Sequence, residues 1–302
     1  MKKGSTIVLF LFIMLQFASG QEADMENETI DLTTISQVNQ GNSYVTILGG
    51  LGNIDPIWFE ANLIPNFYIR KSKNSRLMGV LTPQIILRMF QEESFPVRTP
   101  SYIPQITVYY ALDELPPPYS HLTFFGRIAH HSNGQEGESF LENGEVNHLT
   151  GNFSTNYLEF GFIKTNYNQH FKAMQFYSSS IEYHPPGFPA AELKGLFSTL
   201  RWHSSFSIFK LNRKSDANTK NKALFSIKGK TSVLFGDVSN WKTFDKKRLE
   251  LSLTVSYYPT GLEDVGLFVS FFRGRDYYNI YFDKQLSLIS FGIVTEILRF
   301  ND

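Results

Sequence analysis

Apolar and polar side chains alternate with a period of two along most of this chain. The clearest example lies near the C-terminus, where the odd-numbered residues from Leu249 to Tyr257 are apolar and the even-numbered residues between them are polar. Such alternation is typical of a β-strand with one oily and one polar face. A helical spacing of three to four residues is nowhere sustained, so the pattern predicts an all-β protein.

The alternating runs are roughly ten residues long, and turn-rich clusters such as 115–118, 184–187 and 212–220 separate them. An even number of antiparallel strands, the last ending near Phe300, favours closure into a twelve-stranded transmembrane β-barrel. A soluble sandwich of two sheets would show the same period and stays the alternative fold. About twelve runs can be distinguished by this criterion, starting near residues 43, 58, 77, 103, 122, 155, 173, 197, 222, 248, 265 and 286.

The N-terminus has the features of a secretory signal peptide. Lys2 and Lys3 precede an apolar run over residues 7–17, and a small-residue cleavage site follows at residues 18–20. The next twenty or so residues are acidic, polar and without periodicity. We therefore expect a signal peptide over residues 1–20, a flexible polar segment over residues 21–42 and the barrel over residues 43–302. A small plug or cap formed by the polar segment is the alternative.

Composition excludes several classes of function. The chain has no cysteine, which rules out a lipoprotein anchor, a disulfide framework and a thiolate metal site. Its 28 basic and 28 acidic side chains, less the two lysines of the leader, leave a slightly negative protein, which argues against a nucleic-acid partner. No second apolar stretch approaches the ~20 residues of a membrane-spanning helix. Aromatic residues reach 15%, as the girdles of a membrane barrel would require.

Chemistry is concentrated in the segment 125–135. His130 and Ser132 are two residues apart, so on a strand they point the same way, and they share even numbering with the apolar Phe124 and Ile128. On the next strand, Asn156 starts the apolar face that continues through residues 158, 160 and 162. Three polar groups of a Ser-His-Asn site are thus expected at the loop-side ends of two adjacent strands, facing lipid. Ser132 would attack an ester, His130 would carry the proton, and Asn156 would fix the imidazole tautomer.

These residues also have interpretations that involve no catalysis, and such arrangements are common in proteins. A histidine two residues before a serine often occurs by chance, and Ser-Asn-Gly is an ordinary turn that ends a strand. His131, His148 and His203 are best explained as loop or wall residues. The histidine spacing lacks the same-face pair plus third ligand that a zinc site needs.

At this point the residues resemble the outer-membrane phospholipase A family. The His-x-Ser-Asn-Gly segment at 130–134, followed by Asn156 at the start of the next strand, matches the family's hallmark. The block 94–105, with its Ser, Pro, Arg and Tyr-x-Pro-Gln residues, is similar to the family's upstream block, and residues 274–279 resemble its last hairpin more loosely. The resemblance covers about residues 58–300. It implies a twelve-stranded, multi-pass barrel in the outer membrane of a Gram-negative bacterium and calcium-dependent hydrolysis of membrane phospholipids by a homodimer.

Carried over to this chain, the resemblance assigns Ser132 as nucleophile, His130 as base and Asn156 as the orienting residue. It also implies a calcium site. Ser94 matches a serine that contributes to calcium at the dimer contact, and Gln135 stands where the family has an arginine whose backbone carbonyl binds the ion. The loop after Ser132 is about a dozen residues longer than the family pattern, and Ser139 is the candidate for the next ligand. Gln84 corresponds to a polar residue of the dimer face, although its spacing to Ser94 differs.

Two other functions stay open from the sequence. A lipid A deacylase also carries a His-x-Ser-Asn segment on the outer wall of a barrel, but its chain is shorter and its third member is acidic; Glu142, Glu145 or Glu159 would have to serve here. A non-catalytic pore or scaffold is the other possibility. A barrel of twelve strands is narrow enough for its own polar side chains to fill it, which disfavours a large pore.

Overall fold

A computed structural model describes residues 30–300 of the chain, apart from positions 74, 95, 113–119, 169, 186–192, 213–220, 260, 263–264 and 296–298. The expected signal peptide, residues 1–20, and the first part of the polar segment lie outside the described residues. The residues described include one α-helix, α1 (Leu32–Gln40), and short 3₁₀ turns at Lys246–Arg248 and Asn279–Tyr281.

The strands follow one another in a single antiparallel sheet. Their bounds are β1 (Tyr44–Thr46), β2 (Ile57–Leu63), β3 (Phe67–Ile69), β4 (Leu77–Phe90), β5 (Ser101–Ala111), β6 (Ser120–Ser132), β7 (Ser154–Asn168), β8 (Ala173–Tyr183), β9 (Leu200–Asn212), β10 (Asn221–Phe235), β11 (Leu249–Tyr257), β12 (Val265–Arg275), β13 (Gln285–Thr295) and β14 (Arg299–Phe300).

Twelve of these strands close into a barrel. Each pairs with its neighbour along the chain, and β13 returns to pair with β1, with Tyr44 opposite Val294. The short strands β3 and β14 attach to β4 and β10 without entering the ring. The predicted all-β, antiparallel barrel of twelve strands is confirmed. The sandwich alternative is excluded because every strand of the ring pairs on both sides, so the sheet has no open edge.

The up-and-down order gives the barrel two different ends. The connections 47–56, 91–100, 133–153, 184–199, 236–248 and 276–284 share one end, here called the loop end. The opposite end, here called the turn end, carries the other connections and α1. The longest connection, 133–153, leads from β6 to β7 and therefore starts beside the predicted nucleophile.

Side chains sort by face as the alternation predicts. The outer wall is apolar: Ile128 on β6 and Phe160 on β7 are each 64% exposed. The residues next to them in sequence on each strand point inward. No helix among the described residues is long and apolar enough to cross a membrane. The outward apolar surface and polar interior are the arrangement of membrane-spanning barrels.

Part of the polar segment expected over residues 21–42 has regular structure, since Leu32–Gln40 form the helix α1. The side chain of Asp31 caps α1 by accepting a hydrogen bond from the backbone N–H of Thr34 at 2.8 Å. Leu32 and Ile35 are buried in an apolar cluster inside the turn end of the barrel. Gln40, which looks solvated in the sequence, donates to the inward hydroxyl of Thr107 at 3.0 Å. The polar residues of this segment therefore pair with the polar lumen rather than with water.

A second apolar cluster lies inside the loop end, where Phe153, Phe197 and Phe282 pack ring against ring. Between the two clusters the interior is polar. Arg88 is buried there and binds Asp276 through two hydrogen bonds of 2.8 and 2.9 Å and Glu60 through one of 2.7 Å. Both ends of the lumen are thus packed, as expected for a narrow barrel.

Candidate active site

His130 and Ser132 lie at the loop end of β6, on the outer face. Their neighbours of the same parity, Phe124 and Ile128, are exposed, whereas Phe125 and Ala129 are buried. This is the face that the sequence alternation predicts for the pair. Because successive residues of a strand alternate between faces, both side chains project away from the lumen.

Asn156 is brought to His130 by the register of β6 and β7. The two residues stand directly opposite each other in the ladder, and Asn156 Oδ1 lies 2.8 Å from His130 Nδ1. Asn156 has the same outward parity as Phe160 and Phe162, which are exposed. The cross-strand pair is therefore a polar contact set into an apolar wall.

This contact fixes the chemistry of the imidazole. An amide oxygen only accepts hydrogen bonds, so His130 donates through Nδ1 and its Nε2 is left as the basic nitrogen. The Ser132 hydroxyl makes no hydrogen bond among the described residues, which leaves it available on the same face. A serine–base hydrogen bond often tightens only when substrate binds, so the open arrangement is compatible with catalysis.

Residues that sequence analysis did not assign complete the surroundings. Tyr102, on β5, stands opposite Ser132 in the ladder. Gly134 has a φ of 67°, and a Cβ there would lie 3.2 Å from the Tyr102 ring. A side chain larger than glycine would thus crowd the ring beside the nucleophile. The position of Tyr102 opposite Ser132 depends on the register between β5 and β6, which the sequence pattern alone does not specify.

Asn133 anchors the long connection next to the site. Its side chain is buried, donates to the carbonyl of Gly151 at 2.8 Å and accepts from the N–H of Phe153 at 3.0 Å. These bonds tie the start of the 133–153 connection to its end. The Asn of the Ser-Asn-Gly segment therefore has a structural role: it fixes where the two strands carrying Ser132 and Asn156 emerge.

The rest of this connection is also held in place. Asn147 Oδ1 accepts from the N–H groups of Leu149 and Thr150, and His148 Nε2 lies 2.9 Å from Asp283 Oδ1 in the β12–β13 connection. Burial raises the pKa of Asp283, but the hydrogen bond and charge of His148 outweigh it, so the pKa lies below its ordinary value. The extra residues relative to the family pattern thus form an ordered cover that contacts a neighbouring loop.

The three candidate calcium ligands are placed differently from one another. Ser94 is exposed in the 91–100 connection, and Gln135 is partly exposed three residues after Ser132. The Ser94 hydroxyl and the Gln135 carbonyl make no hydrogen bond among the described residues, so both oxygens are free for a hard cation. Ser139 is 4% exposed and donates its hydroxyl to the carbonyl of Asn152 at 3.0 Å, so it fits poorly. No cluster of three His, Cys, Asp or Glu suited to a metal occurs in the described ranges.

Two sequence expectations are corrected. Gln84 does not face outward: it lines the lumen and donates to Asn62 Oδ1 at 3.0 Å, so it is not a dimer-face residue. Glu159 also points inward, where it pairs with Arg127 at 2.7 Å, and it cannot orient the outward imidazole of His130. Both follow from strand parity, since the side chains take the face opposite to the apolar wall.

The remaining candidates lie away from the site. Glu142 and Glu145 are exposed at the tip of the 133–153 connection. His131 and His203 line the lumen, and His148 contacts the β12–β13 connection as described above. The third member that a lipid A deacylase would need is therefore not placed at His130 by any of the three glutamates.

The fold and site together define a class: a closed, antiparallel barrel with an apolar outer wall, interrupted by a Ser, His and Asn constellation near one rim. No protein-family model matches the chain, and no curated protein matches it.

Solved structures share the fold. The outer membrane phospholipase A from Escherichia coli aligns with a TM-score of 0.55 and 14% identity, over 85% of this chain and 92% of that chain. An active-site mutant of that enzyme at pH 6.1 aligns with a TM-score of 0.56 and 13% identity, over 91% of this chain and 95% of that chain. The Salmonella typhi outer membrane phospholipase dimer with bound calcium aligns with a TM-score of 0.54 and 13% identity, over 91% of this chain and 94% of that chain. At such identities the likeness concerns the fold.

Proposed function

We propose that this protein is a calcium-dependent phospholipase of the outer membrane, which hydrolyses acyl esters of phospholipids through an acyl-serine intermediate. The observation that carries the proposal is the 2.8 Å contact between His130 and Asn156 on the outer wall, with Ser132 on the same face. Polar side chains directed at lipid are costly, and they mark functional sites by default. The shared fold with outer membrane phospholipases supports the substrate class.

The reaction follows from the roles of the three side chains. Ser132 Oγ attacks the ester carbonyl carbon while His130 Nε2 takes its proton, which gives a tetrahedral intermediate. Collapse breaks the bond to the glycerol oxygen, and His130 returns the proton to that oxygen. Water then attacks the acyl-serine with the same base, releasing the fatty acid and restoring Ser132. Asn156 accepts from Nδ1 throughout, so the imidazole keeps its tautomer.

The position of the site suits an ester of a membrane lipid. Ser132 is the last residue of β6 at the loop end, and Ile128, four residues earlier on the same face, is exposed on the apolar wall. A nucleophile at this height meets the region just below the lipid headgroups, where acyl esters lie.

Calcium is included because two free oxygens, the Ser94 hydroxyl and the Gln135 carbonyl, suit it. A bound cation would polarise the ester carbonyl and stabilise the oxyanion. We propose that the active form is a homodimer, in which an exposed residue such as Ser94 reaches the site of the second copy. This rests on the resemblance and on the calcium-bound dimer among the structural neighbours.

The decisive experiment compares fatty acid release from mixed phospholipid micelles by the parent and Ser132→Ala, with calcium or with chelator. The matched control is Ser154→Ala, because Ser154 stands opposite Ser132 in the ladder and shares its face. We expect calcium-dependent release that Ser132→Ala abolishes and Ser154→Ala retains. Parent protein that releases lipid A acyl chains but no glycerophospholipid chains would favour the deacylase instead. No release by the parent under either condition would refute the esterase.

A further inference from the structure

A cavity of about 460 Å³ with a mixed polar and apolar lining lies inside the barrel, behind the wall that carries the proposed active site. Apolar clusters pack the lumen on both sides of it. Charged side chains contribute much of the lining, and they come from five different strands and the β12–β13 connection. The lining includes Glu182, Arg201, Lys230, Glu250, Arg275 and Asp276.

Two of the lining carboxylates are already neutralised by the protein. Asp276 receives both hydrogen bonds of the Arg88 guanidinium. Glu182 contacts Arg201 at 3.1 Å, His184 at 2.7 Å and His203 at 3.2 Å. These acids therefore have no charge left to offer to a further arginine.

Arg275 is a buried lining cation that forms no ion pair among the described residues. It is 5% exposed, and its Nε donates to the backbone carbonyl of Phe282 at 2.8 Å. Its Nη1 has no hydrogen-bond partner, and no ion pair to Arg275 occurs among the described residues. The rings of Phe197, Trp241 and Phe282 surround the guanidinium at 5.7–5.9 Å. Glu250 and Asp283 act on the guanidinium electrostatically but form no ion pair with it. A buried charge without a paired counter-charge is costly, so the site favours an anionic ligand.

Further residues of the lining carry buried polar atoms without a partner. Asn279 is 1% exposed, and neither its amide nitrogen nor its amide oxygen has a partner. Arg201 keeps an unpartnered Nε even though its Nη1 contacts Glu182. The positive charge of Arg201 disfavours the charged form of Arg275, whereas the carboxylates of Glu250 and Asp283 partly offset it. His131, which also lines the cavity, has an unpartnered Nε2 as well. Buried polar groups without partners are rare in folded proteins, and four such residues around one cavity indicate a ligand that accepts hydrogen bonds.

We propose that this cavity binds a tetrahedral oxyanion, such as inorganic phosphate, between Arg275, Arg201 and Asn279. The oxygen atoms would accept from the free guanidinium and amide donors, and the negative charge would relieve the repulsion between the arginines. Water can satisfy donors but cannot cancel the charge of Arg275. A cation would meet two arginines. The proposal concerns the lumen and does not depend on the hydrolase activity of the outer wall.

Phosphate binding is measured by isothermal titration calorimetry on the full folded chain in detergent micelles, with sodium chloride of equal ionic strength as reference. We expect one saturable site in the parent. Arg275→Gln removes a charged donor and should weaken binding about 10-fold or more. Arg273→Gln is the matched control, because Arg273 is an exposed arginine on the same strand; its affinity should equal that of the parent.

Two more variants keep the proposal testable if Arg275→Gln fails to fold. Asn279→Ala removes a side chain that makes no hydrogen bond, so it should fold, and phosphate should bind several-fold more weakly. Glu250→Gln removes a lining carboxylate that repels an anion, and phosphate should bind more tightly. Glycerol phosphate in place of phosphate tests whether a lipid-derived ester fits as well as the free ion. Absence of saturable binding, or weaker binding in Glu250→Gln, would overturn the proposal.

Discussion

His130 and His131 are consecutive residues of β6, yet they belong to two chemically different regions. His130 projects from the outer wall and contacts Asn156, with apolar side chains around it. His131 lines the lumen together with Thr155 and Tyr157. The same residue type thus lies in an apolar surface on one side of the wall and in a cavity lined partly by charged side chains on the other.

The difference teaches how to weigh a polar residue in a barrel. Inside, polar side chains are the normal lining and stabilise one another, as Arg88 does with Glu60 and Asp276. On the outer wall, a polar side chain has no polar partner unless a second polar residue lies beside it. The contact between His130 and Asn156 is therefore informative about function, whereas the larger number of polar residues inside is informative first about packing.

Exchanging the two histidines for alanine should give the largest contrast. His130→Ala removes the base, and we expect kcat for phospholipid hydrolysis to fall about 1,000-fold, within the range of general base catalysis. His131→Ala leaves the outer face unchanged, so kcat per folded molecule should match the parent. Both are measured as fatty acid release, normalised to the fraction of barrel that migrates as folded on an unheated gel. Equal losses in the two variants would show that the outward position of His130 has no special role.

Substitutions in the interior should lower the stability of the barrel rather than the activity of the outer site. Arg88→Met keeps the length of the side chain but leaves Glu60 and Asp276 buried without their partner. Breaking such a pair costs about 3–5 kcal/mol of unfolding free energy. Urea unfolding in micelles measures the loss, and the triple variant with Glu60→Gln and Asp276→Asn should recover part of it. A stable Arg88→Met protein would mean that the network contributes little.

Most of the barrel could be predicted because burial on one face of a sheet imposes a period of two, and the chain keeps it. The predicted starts near residues 77, 173 and 265 coincide with β4, β8 and β12. The expectation for Gln84 was wrong because it came from the resemblance and not from the alternation. Gln84 shares even numbering with Met78 and Val80, which are buried. The helix α1 was missed because its polar residues find partners in the lumen that only the closed barrel creates.

The candidate site was predictable in part for the same reason. Parity places Ser132, His130 and Asn156 on one face, but the pairing of His130 with Asn156 depends on the register between β6 and β7. A long connection separates the two strands, and its length does not fix the register. The anchoring by Asn133 and the position of Tyr102 beside Ser132 arise from the same register and have no local signal in the sequence.

Asn156→Ala sharpens the comparison at the level of a single hydrogen bond. The bond from the imidazole to the amide strengthens when His130 becomes charged, and such bonds contribute about 1.5–3 kcal/mol. Its loss should therefore lower kcat about 10- to 150-fold, less than the loss of His130. Asn166→Ala, with a buried amide on the same strand, is the control and should retain the parent kcat. An effect of Asn156→Ala on stability alone would contradict its orienting role.

The smallest effect is expected at the contact between His148 and Asp283, which holds the long connection beside the site. Because the pKa of Asp283 lies below its ordinary value of 3.8, the contact stabilises the fold above that pH and is lost as pH falls through the lowered value. Asp283→Asn should cost less than about 1 kcal/mol at pH 7 and lose less stability than the parent between pH 7 and pH 3. Thermal unfolding at both pH values measures this, with the exposed Asp237→Asn as control. If the parent and Asp283→Asn lost equal stability on acidification, the carboxyl would have no part in fixing the connection.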